Sequence, residues 1–215
     1  MKNTKILLIR HGESEANRLG RFAGHSDFPL TEKGLQQAEC TAYYVAGAYS
    51  VDAVYASDLR RAYDTALATA RRFSLPVIPC ESLREIFAGA WEGMLFDEIR
   101  VRYAEDFGIW TQNVGCAKCT GGECVEDLQR RVLDAISRIA EQNPGKTVVI
   151  GTHATPIRAT ECALRGLPLS EMYTVPWVSN ASVTELSYEN GDLSLVSVGE
   201  DRHLASLQST LPKNV

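Results

Sequence analysis

The chain has 215 residues, 45% of them hydrophobic and 23% charged. These are globular proportions for one domain with a sizeable core, and they exclude a disordered, collagen-like or rod-like chain. Lysine and arginine number 22 against 27 aspartates and glutamates; the net charge of −5, without any basic run, sets nucleic acid aside as a partner and by itself disfavours an anionic substrate. No apolar run approaches the roughly 20 residues of a membrane span, so no membrane partner is expected. The opening MKNTKILLIRHGE turns charged after four apolar residues, unlike a secretory signal. The cysteines (Cys40, Cys80, Cys116, Cys119, Cys124 and Cys162) then read as free thiols of a cytoplasmic protein.

Thr4 to Arg10 (TKILLIR) reads as a buried strand, and His11 to Pro29 as mostly loop. Thr31 can cap a helix of about 17 residues, on which Leu35, Ala38, Ala42 and Val45 recur at helical spacing. Asp52 to Ala56 reads as a second strand. Ser57 or Asp58 then caps a helix running to Phe73, and Pro76 to Pro79 is a short edge strand, because proline lacks a donor. Glu81 to Cys124 is irregular and glycine-rich, with one short helix around Phe96 to Tyr103. Val125 to Gln142 has the periodicity of a helix and ends at Asn143-Pro144-Gly145. Lys146 to Gly151 is a strand with two apolar faces, and a helix follows from Pro156 to Arg165. Ser182 to Tyr188 and Leu193 to Val198 alternate around Asn190-Gly191 as a hairpin.

Strands alternating with helices give an α/β three-layer sandwich: a mostly parallel central sheet with an antiparallel edge strand, helices on both faces, and a small irregular cap. One domain spanning 1–215 is expected, with the cap as an excursion at about 81–124. Ligands of such sheets bind beyond the carboxyl ends of the strands. Two of the four histidines, His11 and His153, follow the ends of two buried strands, and Arg60-Arg61 opens the helix after a third. Guanidinium forks and a helix N-terminus suit phosphate oxygens, and a neutral imidazole beside them could attack phosphorus.

These residues carry a resemblance. Leu8 to Ser14 with Asn17 is similar to the opening RHGE segment of the histidine phosphatase (phosphoglycerate-mutase-like) superfamily. Gly24-His25-Ser26-Asp27-Phe28-Pro29-Leu30-Thr31 with Gly34 resembles its G-x-x-D-x-P-L-T-x-x-G segment. Ser57 to Ala62 with Thr65-Ala66, Leu83-Arg84-Glu85 with Gly89 to Gly93, and Gly121-Gly122-Glu123 with Asp127-Leu128 and Arg131-Val132 match its later motifs. Val149 to His153 with Ile157-Arg158, then Asn180 with Ser182, then His203-Leu204, complete the series in order. Ala154 stands where the family usually has glycine after the second histidine, Cys124 replaces the usual serine, and Ala90 replaces a commonly polar residue.

The resemblance implies that His11 is a nucleophile forming phosphohistidine. Arg10, Arg61 and His153 surround the transferred group, with Asn17, Gly24 and Ala154 as further substrate contacts. Glu85 is the acid that protonates the leaving oxygen and then the base for water. No metal or other cofactor is implied, since the arginines and a protonated histidine supply positive charge. The expected activity is a phosphomonoesterase acting on a small phosphorylated metabolite: sugar phosphate, phosphoglycerate or ribazole phosphate. A cofactor-dependent phosphoglycerate mutase is the alternative, and a non-catalytic phospho-ligand module the second. The stretch from Glu85 to His153 is short, and between Trp110 and Arg130 it has one basic side chain, Lys118, which favours the hydrolase. A monomer and a homodimer both remain open.

Other residues read more plainly. His25 and His203 are expected at structural or rim positions, Arg60 in solvent or an ion pair, Glu92 as structural, and Glu13 as packing behind the site. Cys116, Cys119 and Cys124 lack the fourth ligand of a structural zinc site and read as thiols. Trp91 and Trp177 read as packing residues, with Trp110 a candidate for the rim.

Overall fold

The apolar run at the start of the chain becomes a central strand because both its faces find cover. The computed structural model describes residues 3–209. Its sheet contains β1 (Thr4–Arg10), β2 (Ala53–Ala56), β3 (Val77–Pro79), β4 (Thr147–Thr152), β5 (Val183–Glu189) and β6 (Asp192–Glu200). The helices are α1 (Glu15–Leu19), α2 (Glu32–Ala48), α3 (Arg60–Arg72), α4 (Phe96–Arg102), α5 (Ala104–Gln112), α6 (Val125–Glu141) and α7 (Ala154–Leu164).

The six strands lie in the order β3-β2-β4-β1-β5-β6. The first four are parallel, and the antiparallel edge is a hairpin: β5 runs against β1, and β6 returns beside it. Side-chain alternation divides the core. Ile6 and Leu8 of β1, with Val148 and Ile150 of β4, face the layer that holds α6, α7 and the 81–124 excursion. Leu7, Ile9 and Val149 face α2 and α3, where Val45, Ala66 and Ala70 meet them. Each apolar residue on these strands thus has a helix to cover it, and the central pair β1–β4 is buried on both sides.

Local details differ from the sequence expectations. Helix α3 is capped neither by Ser57 nor by Asp58. Its N-cap is Leu59, which offers no side-chain acceptor, and the Arg60 N–H donates instead to the Asp27 carboxylate at 2.7 Å. A one-turn helix, α1, interrupts the expected loop, because Ser14 and Asn17 close a reciprocal capping box. Helix α7 begins at Ala154 rather than Pro156, so His153 is itself the N-cap. The excursion contains a second helix, α5. It is fixed by Phe107 and Trp110, whose rings meet Trp91 edge-on at centroid distances of 5.7 and 6.1 Å.

The sheet positions the site through its register. Arg10 pairs with Thr152 and Ala56 pairs with Gly151. The residues that follow (His11, His153 and Ser57) therefore emerge side by side at the carboxyl end of the parallel strands.

Candidate active site

The His11 ring is almost fully buried, and its Nδ1 lies 2.7 Å from the Gly12 carbonyl. A carbonyl only accepts, so Nδ1 carries the proton, and Nε2 keeps its lone pair. The loop is held from below, where the Gly12 N–H donates to Thr65 Oγ1 at 3.0 Å and that hydroxyl donates to the Arg61 carbonyl one helical turn back. Asn180 Nδ2 donates to the His11 carbonyl at 3.0 Å.

His153 is fully buried, with its ring centroid 5.2 Å from that of His11 and the planes at 62°. Its Nε2 sits 2.9 Å from Ser57 Oγ. Burial is the main force pushing both imidazoles well below the ordinary 6.5, with Arg61 the next contributor at each ring. Burial thus disfavours the protonated form of both rings, and the two arginines are the charged groups beside them.

Arg61 is fully buried at the start of α3. Its Nη1 and Nη2 donate to the carbonyls of Ser26 (3.0 Å) and Gly24 (2.7 Å). Arg10 donates through Nη1 to the Val178 carbonyl. Burial lowers each guanidinium to about 10, which leaves both charged at neutral pH. Neither meets a carboxylate within ion-pair distance among the described residues. Arg10 Nε, Arg61 Nε and His153 Nδ1 are buried without a hydrogen-bond partner among the described residues, and the two arginines line one cavity with His11. Native proteins rarely leave such groups unpaired, because each costs about 1–3 kcal/mol, and more when charged. Two buried guanidinium groups with spare donors beside an imidazole form a cradle whose chemistry suits an anion.

The predicted contacts gather around it. Asn17, which lines the cavity, accepts at Oδ1 from Ser14 N, Ser14 Oγ and Asn180 Nδ2. Gly24 has φ +49°, and a Cβ there would fall 2.3 Å from Glu92 Oε1, so only glycine lets this carbonyl turn to Arg61. Ala154 opens α7 at the cavity wall, where a helix N-terminus favours negative charge. Glu85 also lines the cavity; its carboxylate accepts from Ile86 N at 2.9 Å and Thr155 N at 3.3 Å.

The other candidates fall outside the cradle. Glu92 accepts from the N–H groups of His25, Ser26 and Ala88 and from the Ser26 hydroxyl, and so holds the loop that serves Arg61. His25 Nε2 meets the Glu85 carbonyl at 2.9 Å. His203 stacks on Tyr44 with centroids 4.6 Å apart. The Glu13 carboxylate accepts from Thr31 Oγ1, and Arg60 is exposed. Cys116 is exposed and Cys119 buried; among the described residues no three His, Cys, Asp or Glu side chains gather as a metal site requires. Sequence reasoning did not foresee the parts played by Ser57 and Thr65. The available signal was their four-residue spacing on either side of Arg61, one helical turn in the case of Thr65.

The cavity measures about 520 Å³. Beyond the cradle its walls are aromatic: Phe22, Phe96, Trp110 and Trp177. Its remaining cations are engaged, since Arg21 Nη1 donates to the Gly93 carbonyl at 2.6 Å and Lys33 faces Glu13 at 3.5 Å. Among the described residues no helix is long and apolar enough to cross a membrane.

A sequence profile described as "Histidine phosphatase superfamily (branch 1)" matches residues 6–201. The chain belongs to the histidine phosphatase superfamily. This histidine phosphatase is 36% identical over 185 residues to phosphoserine phosphatase 1 of Hydrogenobacter thermophilus, a match covering 86% of this chain and 87% of that one. It is 31% identical over 169 residues to the adenosylcobalamin/alpha-ribazole phosphatase of Escherichia coli, covering 79% and 83% of the two chains. The solved structure of Bacillus stearothermophilus YhfR superposes with a TM-score of 0.89 at 33% identity, covering 94% of this chain and 99% of that one. The resemblance carried by the motifs thus extends over nearly the whole histidine phosphatase, and its relatives' names place it among phosphatases.

Proposed function

We propose that the protein is a metal-independent phosphomonoester hydrolase that works through a phosphohistidine on His11. The observation that carries this reading is that Arg10 and Arg61, each buried with an unpartnered Nε, line one cavity with His11, whose Nδ1 is held by the Gly12 carbonyl and whose ring lies 5.2 Å from that of His153. In the first step His11 Nε2 attacks phosphorus, the ester P–O bond breaks, and Glu85 in its acid form gives its proton to the departing oxygen. The Nδ1 proton, held by the Gly12 carbonyl, stabilises the cationic ring. In the second step water attacks phosphorus while the Glu85 carboxylate takes a proton from it. The P–N bond breaks, and inorganic phosphate leaves. Arg10, Arg61, Asn17, His153 and the Ala154 N–H hold the non-bridging oxygens, where phosphoryl transfer needs most of its stabilisation. The sequence departure at Ala154 leaves that main-chain donor in place.

The hydrolase reading is favoured over a mutase by the cations. A mutase must grip a second anionic group, yet Arg21 and Lys33 are engaged and Lys118 does not line the cavity. The aromatic walls further suggest a small ester whose alcohol part offers an apolar or flat face. The ribazole phosphate in one relative's name has such an alcohol part, whereas the phosphoserine in another's carries a carboxylate of its own, so the two compounds together test the reading in a substrate panel.

The test is to incubate the protein with p-nitrophenyl phosphate and with 3-phosphoglycerate. Phosphate release dominates if the reading holds; phosphoryl transfer between the positions of phosphoglycerate far outrunning release contradicts it. Glu85→Gln lowers kcat/KM by about 10²–10⁴-fold for esters with poor leaving groups.

A further inference from the structure

Glu85 is carried by a loop, between a 3-10 turn (Glu81–Leu83) and another (Gly89–Trp91). A carboxyl so mounted can transfer a proton efficiently only if something outside the loop fixes it. One side chain from helix α6 does this. Arg131, in the second turn of α6, donates from Nη1 to the carbonyls of Ser82 (3.0 Å) and Arg84 (2.8 Å) and from Nη2 to that of Glu85 (2.8 Å). Three backbone carbonyls turned toward one cation repel one another; the planar guanidinium, with five donors in a rigid fork, is what holds them together.

Glu123 completes the device. It receives Arg131 at two points, Nε to Oε1 at 2.7 Å and Nη2 to Oε2 at 2.9 Å. It also ties down the far side of the loop: Phe87 N donates to Glu123 Oε2 at 3.1 Å, and Glu123 N donates to the Phe87 carbonyl at 2.9 Å. The contact is close enough that a Cβ on Gly122 would sit 2.3 Å from the Phe87 oxygen. The backbone is therefore anchored from Ser82 to Phe87, with Glu85 in the middle. The Arg131 and Glu123 side chains are only 23% and 15% exposed, so water competes weakly for these bonds.

We propose that Arg131 and Glu123 are positioning residues that set the Glu85 carboxyl for proton transfer to the leaving oxygen. This rests on the reading of Glu85 as the proton donor. Neither residue touches the phosphoryl cradle, so their loss acts on the acid and spares the nucleophile. An ester that needs little protonation, such as p-nitrophenyl phosphate, loses little. Esters of more basic alcohols lose progressively more.

The experiment measures kcat/KM for a series of substituted phenyl phosphates with the wild type, Glu85→Gln, Arg131→Lys, Arg131→Gln and Glu123→Gln. The quantity read is the steepness of log(kcat/KM) against leaving-group pKa. Glu85→Gln is expected to steepen the dependence. Arg131→Gln and Glu123→Gln steepen it in the same direction, by roughly tenfold or more at the basic end relative to p-nitrophenyl phosphate, a fraction of the full general-acid contribution. Arg131→Lys, which keeps the charge but not the fork, falls between them and the wild type. A uniform fall for every ester with unchanged steepness means a merely structural role and overturns the proposal. If Arg131→Gln fails to fold, Arg131→Lys and Glu123→Gln decide by the same criterion. If Glu85→Gln itself leaves the steepness unchanged, the assignment of Glu85 falls, and the positioning role falls with it. Steepening in Glu85→Gln alone defeats the positioning role and leaves the assignment intact.

Discussion

Ser57 is hidden from solvent, yet its hydroxyl is the partner of the His153 ring. Losing it leaves the imidazole free to turn away from the cradle. Ser57→Ala is expected to lower kcat/KM by about tenfold, the equivalent of one net hydrogen bond, with little change in melting temperature. Gly24 acts through the backbone instead. With φ at +49° and the Glu92 carboxylate in the space a Cβ would take, Gly24→Ala must move the loop whose carbonyl anchors Arg61. The expected loss is about 1–3 kcal/mol in denaturant unfolding, together with a larger fall in activity than Ser57→Ala produces. His11, His153, Arg10 and Arg61 were legible as a group in the sequence, because each follows a strand end or opens a helix next to one. Ser57 was not, since a small buried hydroxyl has no pattern of its own until register brings it beside a ring.

The elements tell a similar story about what pattern can and cannot carry. Strands β1 and β4 and helices α2 and α6 were readable because their apolar residues match one period over enough length. Helix α5 was not: Gly108 interrupts it, and its stability comes from contacts distant in sequence. Phe22, Trp91, Phe107 and Trp110 form one edge-to-face cluster beneath the cavity, with Phe22 and Trp110 centroids 5.0 Å apart. The cap of α3 was misread for a related reason. A local serine or aspartate was the obvious choice, but the acceptor comes from Asp27, far back in the chain. Trp91 is fully buried and its indole N–H donates to Thr120 Oγ1 at 3.1 Å. Trp91→Ala is expected to cost about 3–5 kcal/mol in urea unfolding and to loosen the cap first, seen as faster amide exchange in α5.

At the scale of the whole molecule, the net charge of −5 taken alone disfavours an anionic substrate. Net charge averages over a surface, whereas Arg10 and Arg61 concentrate positive charge inside one recessed cavity. Selectivity for phosphate therefore comes from short-range contacts, with little long-range attraction to screen. Burial also links function to stability. His11, His153 and His203 are all held below 6.5, so the unfolded chain binds more protons than the folded one once the pH drops under that value. Their contribution is intact above pH 6.5 and is lost progressively on acidification below it. Unfolding free energies measured on either side of pH 6.5 are expected to fall toward the acid side. His153→Asn flattens that slope; an unchanged slope contradicts the neutral assignment.

The central claim is that His11 carries the phosphoryl group. The most direct measurement mixes the protein with a phosphate ester on the timescale of one turnover and quenches in alkali, where phosphohistidine survives. Peptide mass spectrometry then locates any bound phosphate. Phosphate on His11, absent in His11→Asn, is the predicted result. Turnover of p-nitrophenyl phosphate, which needs no acid to form the intermediate, with no phosphate on the protein in Glu85→Gln, where its hydrolysis is slowed, or phosphate on a different side chain, would contradict it.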